Sequence, residues 1–97
     1  EVFGPVVCVT SYRTLDEAID RVNDSEYGLQ AGILTRDLQA AMEASRKIRT
    51  GGVIIGGTSA FRIGTMPYGG VKNSGIGREG PRYAIEEMTD LKTVVIL

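Results

Sequence analysis

The 97-residue chain contains no histidine, no tryptophan and one cysteine, and these shortages exclude several kinds of site. A single cysteine cannot form an internal disulfide, which fits a reducing compartment such as the cytoplasm. Because zinc sites are built mainly from histidine and cysteine, we expect no metal centre. Cys8 has no histidine to act as its base and lies in an apolar run, so we expect a buried thiol that is not a nucleophile.

The chain also has little net charge and few long apolar runs. The formal net charge is -1, too small for the basic footprint of a nucleic-acid-binding domain, and 42% hydrophobic residues is ordinary for a globular protein. No apolar run reaches the length of a membrane span. We therefore expect neither nucleic acid nor a membrane as a partner. The chain begins inside a Glu-Val-Phe-Gly-Pro run without an initiator methionine, so we expect one domain or a fragment of one.

Strand and helix patterns alternate along the first half of the chain. Apolar strands are predicted at residues 6–12, 29–34 and 53–55, each able to be covered on both faces. A capping box at Thr14 and Glu17 predicts a helix to about Asn23, and Thr35 or Asp37 caps a second amphipathic helix that Gly51 ends. The fold class is therefore α/β, with a partial doubly wound parallel sheet in β-α-β-α-β order.

Residues 66–81 form a glycine-rich crossing that contains five of the 13 glycines. A flexible linker is the alternative, but linkers seldom carry apolar residues such as Tyr68, Val71 and Ile76. Beyond the crossing, Pro81 can begin a third helix, and residues 93–97 form an apolar terminal strand. Such a strand requires a partner, because an uncovered apolar edge invites aggregation.

Three motifs lie at residues 1–5, 23–29 and 67–79. In this order and separation they resemble the carboxy-terminal part of the aldehyde dehydrogenase superfamily, and the resemblance covers nearly the whole chain. It implies oxidation of an aldehyde to a carboxylic acid with NAD or NADP, through a cysteine thiolate that lies upstream of residue 1 with its asparagine and glutamate partners. No catalytic residue is then expected here, and the fragment is expected to be inactive alone.

The resemblance also implies a division of the chain. Residues 1–80 would be part of the catalytic domain, and residues 81–97 would be a helix and an oligomerisation strand that joins a homodimer or homotetramer. A non-catalytic α/β interaction or assembly module is the alternative from another class of function.

Two residues match the family's cofactor contacts. Glu1 corresponds to a glutamate that binds the nicotinamide ribose hydroxyls, and Phe3 to a ring beside the nicotinamide. A carboxylate suits vicinal hydroxyls because it only accepts hydrogen bonds. Without the resemblance, Glu1 would be interpreted as a solvated terminal residue, and a core residue would be an equally good interpretation of Phe3.

Residues 58–66 match the segment that lines the aldehyde entrance. Phe61 would be an apolar wall, Arg62 a forked cation for an anionic tail, and Ser59 an added hydroxyl. We therefore expect an aldehyde of the succinate semialdehyde, lactaldehyde, glyceraldehyde 3-phosphate or phosphonoacetaldehyde type. An exposed or interface arginine is the other interpretation of Arg62.

Four polar residues of the crossing are interpreted as structural or intersubunit groups. Basic residues beside glycines also suggest a phosphate cradle, but the spacing matches neither a P-loop nor a dinucleotide fingerprint. These four residues are Lys72, Ser74, Arg78 and Glu79.

Overall fold

The computed structural model describes residues 2–97 and has an α/β fold, as the sequence predicts. Three helices and four short strands follow one another along the chain, and their bounds are these: α1 Leu15–Asn23, β1 Tyr27–Gly28, β2 Gln30–Ile33, α2 Leu38–Lys47, β3 Gly52–Ile55, β4 Val71–Lys72 and α3 Pro81–Met88.

Two strand pairs replace the predicted three-stranded layer. The pair of β2 and β3 is parallel, with Ala31 opposite Val53, and α2 makes the crossover between them. The pair of β1 and β4 is antiparallel, with Tyr27 opposite Lys72. The predicted strands at 29–34 and 53–55 are thus confirmed, whereas the strand of Tyr27 and Gly28 is not among the predicted ones.

Helix α1 begins at the predicted capping box. The Thr14 hydroxyl accepts a hydrogen bond from the Glu17 N–H at 3.2 Å. The Glu17 carboxylate reaches back to the Arg13 N–H at 2.8 Å, one residue before the position that a capping box usually uses. This backbone donor is the largest cause of the lowered pKa of Glu17.

Helix α2 is capped by Asp37, which settles the choice between the two predicted caps. Its carboxylate accepts hydrogen bonds from the N–H groups of Gln39 and Ala40, at 2.8 and 3.1 Å. The helix then packs on α1 through a small core whose buried apolar members are Ile19, Ala41 and Ala44. Leu38 and Met42, two large apolar residues of this amphipathic helix, are exposed.

The predicted strand at residues 6–12 is absent from the structure, and so is its burial. Cys8 and its neighbours are exposed, so the expectation of a buried thiol was wrong. The predicted terminal strand at 93–97 is likewise unpaired within residues 2–97. An apolar, β-branched run has the composition of a strand, but strand structure requires a backbone partner, and the described part of the chain provides none.

Gly51 does not end α2 as expected. The helix stops at Lys47, and Ile48 follows in an extended conformation. Helix α3 begins at Pro81 as predicted, but none of its residues is buried.

The glycine-rich crossing is ordered, which contradicts the linker interpretation. It forms β4, and it also contains a backbone bridge between Tyr68 and Glu79. Among residues 2–97, no helix has the length and apolar character needed to cross a membrane.

Candidate functional site

The loop of residues 58–66 begins near the carboxyl ends of the parallel strands β2 and β3. Gly56, in the left-handed region with φ 78°, donates its N–H to Ile33 at 2.8 Å and turns the chain out of the sheet. A β-carbon on Gly32 would lie 2.6 Å from the Gly57 carbonyl oxygen, so the outgoing chain passes close to β2. Ligands of open α/β sheets bind at this edge, so the topology favours the loop as a binding element.

Gln30 of β2 fastens the loop to the sheet. Its side-chain amide donates hydrogen bonds to the carbonyl oxygens of Ser59 and Phe61, at 2.8 and 2.6 Å. The Phe61 N–H donates to Thr58 at 3.1 Å and closes a tight turn between the two anchored carbonyls. The backbone that carries Ser59, Phe61 and Arg62 is therefore held by one side chain from the sheet.

The three predicted substrate residues are neighbours on this loop and are exposed. Phe61 has 52% of its surface accessible, and the Ser59 and Arg62 side chains also reach solvent. An apolar ring beside a guanidinium provides both an apolar contact and a forked donor for an anion.

Arg62 has two partners in the crossing. Its guanidinium carbon lies 4.4 Å from the centre of the Tyr68 ring, in a cation–π contact. Its Nη2 donates to the carboxylate of Glu79 in an ion pair. Within residues 2–97, Nε and Nη1 make no hydrogen bond, so part of the guanidinium fork is available to a ligand.

Tyr68 and Glu79 form a backbone bridge that puts these two partners side by side. The Tyr68 N–H donates to the Glu79 carbonyl at 3.2 Å, and the Glu79 N–H donates to the Tyr68 carbonyl at 2.6 Å. Residues opposite each other in an antiparallel bridge carry their side chains on the same face. The ring and the carboxylate thus meet Arg62 together.

The predicted cofactor residues lie at the other end of the chain. Glu1 falls outside the described residues. Phe3 is 92% exposed and has φ 49°, an uncommon conformation for an aromatic residue. No hydrogen bond or strand pairing joins residues 2–9 to the loop of residues 58–66.

Three other polar side chains of the crossing, those of Lys72, Ser74 and Arg78, bind the chain's own backbone. Lys72 donates to the carbonyl oxygens of Asn23 and Ser25, each at 2.9 Å. Ser74 accepts from the Gly28 N–H at 2.8 Å, and Arg78 donates to Gly70 and Gly77 at 2.9 and 2.6 Å. These contacts favour the structural interpretation over a phosphate cradle, because the cationic groups are already occupied by carbonyl oxygens.

A cavity of about 550 Å³ is lined by Gln30, which also holds the loop of residues 58–66, but by no residue of that loop. Residues of α1, β1 and β2 line it together with Thr50, Asn73 and Ser74, and none of Ser59, Phe61 and Arg62 is among them. The residues that line it include no aspartate, glutamate, lysine or arginine, so the exposed loop is the better candidate for a site.

Sequence reasoning missed Gln30 and Tyr68 as parts of this site. The sequence indicates Gln30 only as a strand residue and Tyr68 only as an apolar residue of the crossing. A glutamine inside a short apolar strand is a weak signal of a structural hydrogen bond. The Tyr68 contact has no local signal, because it depends on the pairing with Glu79.

The model of the aldehyde dehydrogenase family matches residues 1–94 of the chain. The 3-sulfolactaldehyde dehydrogenase of Priestia aryabhattai is 58% identical over 96 residues, which are 99% of this chain and 20% of the relative. The chain therefore spans about a fifth of the length of this relative.

Two solved structures are similar in sequence and in fold. Aldehyde dehydrogenase 21 from Physcomitrella patens, in complex with the reaction product succinate, is 46% identical with a TM-score of 0.88, over 91% of this chain and 18% of that one. Glyceraldehyde-3-phosphate dehydrogenase GapN from Methanocaldococcus jannaschii, complexed with NADP, is 47% identical with a TM-score of 0.80, over 84% of this chain and 18% of that one.

Proposed function

Since this chain belongs to the aldehyde dehydrogenase family, we propose that it is a segment of an NAD(P)-dependent enzyme that oxidises an aldehyde with an anionic tail to its carboxylic acid. In this proposal the thiol nucleophile comes from another part of the enzyme, and the segment supplies contacts to the cofactor and to the substrate tail. The observation that carries the proposal is the Arg62 fork, held beside Phe61 on a loop at the carboxyl edge of the parallel strands.

The nicotinamide nucleotide would supply the hydride acceptor. Glu1 would accept hydrogen bonds from the ribose hydroxyls, and Phe3 would pack beside the nicotinamide ring. The exposed Phe3 ring, on a backbone with positive φ, fits this role, because such outliers are often retained where they serve a ligand. The NADP complex of GapN supports the use of a nicotinamide cofactor without choosing between NAD and NADP.

Arg62 would bind the anionic end of the aldehyde. A guanidinium pairs with a carboxylate, sulfonate or phosphate through parallel N–H donors, and Ser59 would add a hydroxyl. The Priestia relative is named for a sulfonated aldehyde, and the Physcomitrella structure holds a dicarboxylate product, so similar proteins handle anionic compounds. Phe61 would cover the apolar part of the substrate between its anion and its carbonyl.

Kinetics of an Arg62→Ala variant in the complete enzyme test this function. The ratio of KM for an anionic aldehyde to KM for a neutral aldehyde of equal length is expected to rise about tenfold to a hundredfold over the wild-type ratio, since a charge-assisted contact is lost. Equal changes for both aldehydes would contradict the anionic-tail proposal. No aldehyde oxidation by the complete wild-type protein with either NAD or NADP would instead favour the non-catalytic assembly module.

We propose further that residues 93–97 pair with a second copy of the chain in a dimer or tetramer of a cytoplasmic enzyme. Val94, Val95 and Ile96 are exposed and apolar, and such a segment gains both burial and backbone hydrogen bonds by adding to a sheet edge. Sedimentation of the complete enzyme with Val95→Asp is the test, because a charge on the strand should lower the oligomeric state. An unchanged mass at low protein concentration would contradict it.

A further inference from the structure

The Arg62 guanidinium is restrained from two sides by residues of a different segment. The centre of the Tyr68 ring lies 4.4 Å from the guanidinium carbon, and the Glu79 carboxylate accepts a hydrogen bond from Nη2. Arginine side chains are long and flexible, so an unrestrained fork would lose much conformational freedom on binding an anion. The two contacts remove part of that freedom before any ligand arrives.

The restraint leaves a usable donor edge. A guanidinium presents two edges with parallel N–H groups, one formed by Nε and Nη2 and the other by Nη1 and Nη2. Since Nη2 carries two hydrogens, the one given to Glu79 occupies one edge only. The other edge remains complete, and no second acceptor among the described residues occupies it.

The backbone around Glu79 is itself fixed. Both bridge hydrogen bonds with Tyr68 hold Glu79, and the next residue, Gly80, has φ 119° and leads directly into α3 at Pro81. A β-carbon at Gly80 would lie 3.1 Å from the Met66 carbonyl oxygen, so the end of the substrate loop contacts the start of the helix. The backbone of Glu79, whose carboxylate is the acceptor for Arg62, is thus held between the bridge to Tyr68 and the start of α3.

We propose that Glu79, together with the Tyr68 ring, positions Arg62 as a preset fork for the anionic end of the aldehyde, which makes Glu79 a residue that determines substrate specificity. This inference rests on the proposed function. Glu79 is a positioning residue here, because it acts through Arg62 and does not contact the substrate.

A carboxylate beside Arg62 has a second physical effect, which opposes the first. Its negative charge repels an incoming anion and neutralises part of the Arg62 charge. Both side chains are substantially solvated, with 47% of Arg62 and 63% of Glu79 accessible, so water and salt screen this repulsion. The orienting effect acts at direct contact, through a hydrogen bond and a ring face, where salt weakens an interaction less than it does at longer range, and we infer that it dominates.

Two substitutions at Glu79 separate the two effects in the complete enzyme. Glu79→Ala removes both the acceptor and the charge, and it is expected to raise the ratio of KM for an anionic aldehyde to KM for a neutral one about threefold to tenfold. Glu79→Gln keeps an acceptor oxygen for Nη2 and removes the charge, so its ratio is expected to stay near that of the wild type. A lower ratio in both variants would show that repulsion dominates and would overturn the inference.

Tyr68 provides an independent pair of variants. Tyr68→Phe keeps the ring beneath the guanidinium and is expected to keep the wild-type ratio, whereas Tyr68→Leu removes the cation–π contact and is expected to raise it. If Glu79→Ala does not fold, this pair and Glu79→Gln still decide the question. Equal ratios for Tyr68→Phe and Tyr68→Leu would count against the inference.

A double variant and a matched control complete the test. In an Arg62→Ala background, Glu79→Ala is expected to change the ratio no further, because the residue that it positions is gone. Glu86→Ala breaks a similar exposed ion pair, with Arg82 at 2.8 Å on α3, and is expected to leave the ratio unchanged.

The outcomes also distinguish failure of this inference from failure of the proposed function. If Arg62→Ala leaves the ratio unchanged, the anionic-tail function itself fails, and the positioning role fails with it. If Arg62→Ala raises the ratio but Glu79→Ala does not, only the positioning role is overturned.

Discussion

Gly51 and Gly69 touch through their backbones. A β-carbon on Gly51 would lie 1.6 Å from the carbonyl oxygen of Gly69 and 3.0 Å from that of Leu29. This contact brings the glycine-rich crossing against the entry to β3. The glycine is required by the close approach of another chain segment and not by the end of a helix.

Gly51→Ala is therefore expected to be severely destabilising. The added methyl group would meet backbone atoms, which cannot move aside as a flexible side chain can, and the cost is expected to reach about 3 kcal/mol or more. Thermal denaturation of the complete enzyme measures it. Gly64→Ala is the control, because a β-carbon there meets nothing within 4 Å, and its effect is expected to stay within about 1 kcal/mol. Equal melting temperatures for the two variants would contradict the contact.

Local sequence patterns predicted much of this fold. The capping box of α1, Asp37 as one of two candidate caps of α2, and Pro81 at the start of α3 all act within one helical turn, so they could be recognised without knowledge of the rest of the chain. The parallel strands β2 and β3 were also found, because short apolar runs separated by a helix are typical of such pairs.

The missing parts depend on distant partners. Residues 6–12 and 93–97 have the composition of strands, yet no neighbouring backbone in the described chain completes a ladder with them. The strand formed by Tyr27 and Gly28 was missed for the opposite reason, since its partner comes from the crossing more than forty residues later. Composition reports the tendency of a segment, whereas pairing is a property of the whole fold.

The loop of the candidate site could be predicted from the sequence, but the contacts that support it could not. The loop with Ser59, Phe61 and Arg62 followed from a resemblance, and the structure puts these residues in one anchored, exposed segment. The supporting contacts of Gln30, Tyr68 and Glu79 could not be predicted, because they join residues between 6 and 31 positions apart through pairing that only the fold defines.

Lys72 combines a strained backbone with a supporting side chain. Its φ of 54° lies in the left-handed region, and its ammonium group binds the carbonyl oxygens of Asn23 and Ser25. Lys72→Ala loses both charged hydrogen bonds and keeps the strain, so the free energy of unfolding is expected to fall by about 2 kcal/mol. Lys72→Gly loses the same bonds but relieves the strain, and it is expected to be more stable than Lys72→Ala by about 1 kcal/mol.

Denaturant unfolding of the complete enzyme would measure these differences. Lys92→Ala is the matched control, because Lys92 is exposed and makes no side-chain hydrogen bond within residues 2–97. Its free energy of unfolding is expected to equal that of the wild type within about 0.5 kcal/mol. If Lys72→Gly were less stable than Lys72→Ala, the strained conformation would not be supported.

Gln30 holds the loop of residues 58–66 on the sheet, and replacing its side-chain amide with a carboxylate should release that loop. Gln30→Glu replaces an amide donor with a carboxylate that faces the carbonyl oxygens of Ser59 and Phe61, so attraction becomes repulsion. We expect kcat/KM for every aldehyde to fall by about tenfold or more, because Phe61 and Arg62 lose their fixed positions together. Trypsin should also cleave faster after Arg62, and the mass of the product identifies that bond.

Gln39→Glu makes the same chemical change at an exposed position of α2 and is expected to alter neither rate. Cleavage and kinetics of Gln30→Glu that match those of Gln39→Glu would show that the loop is held by other contacts.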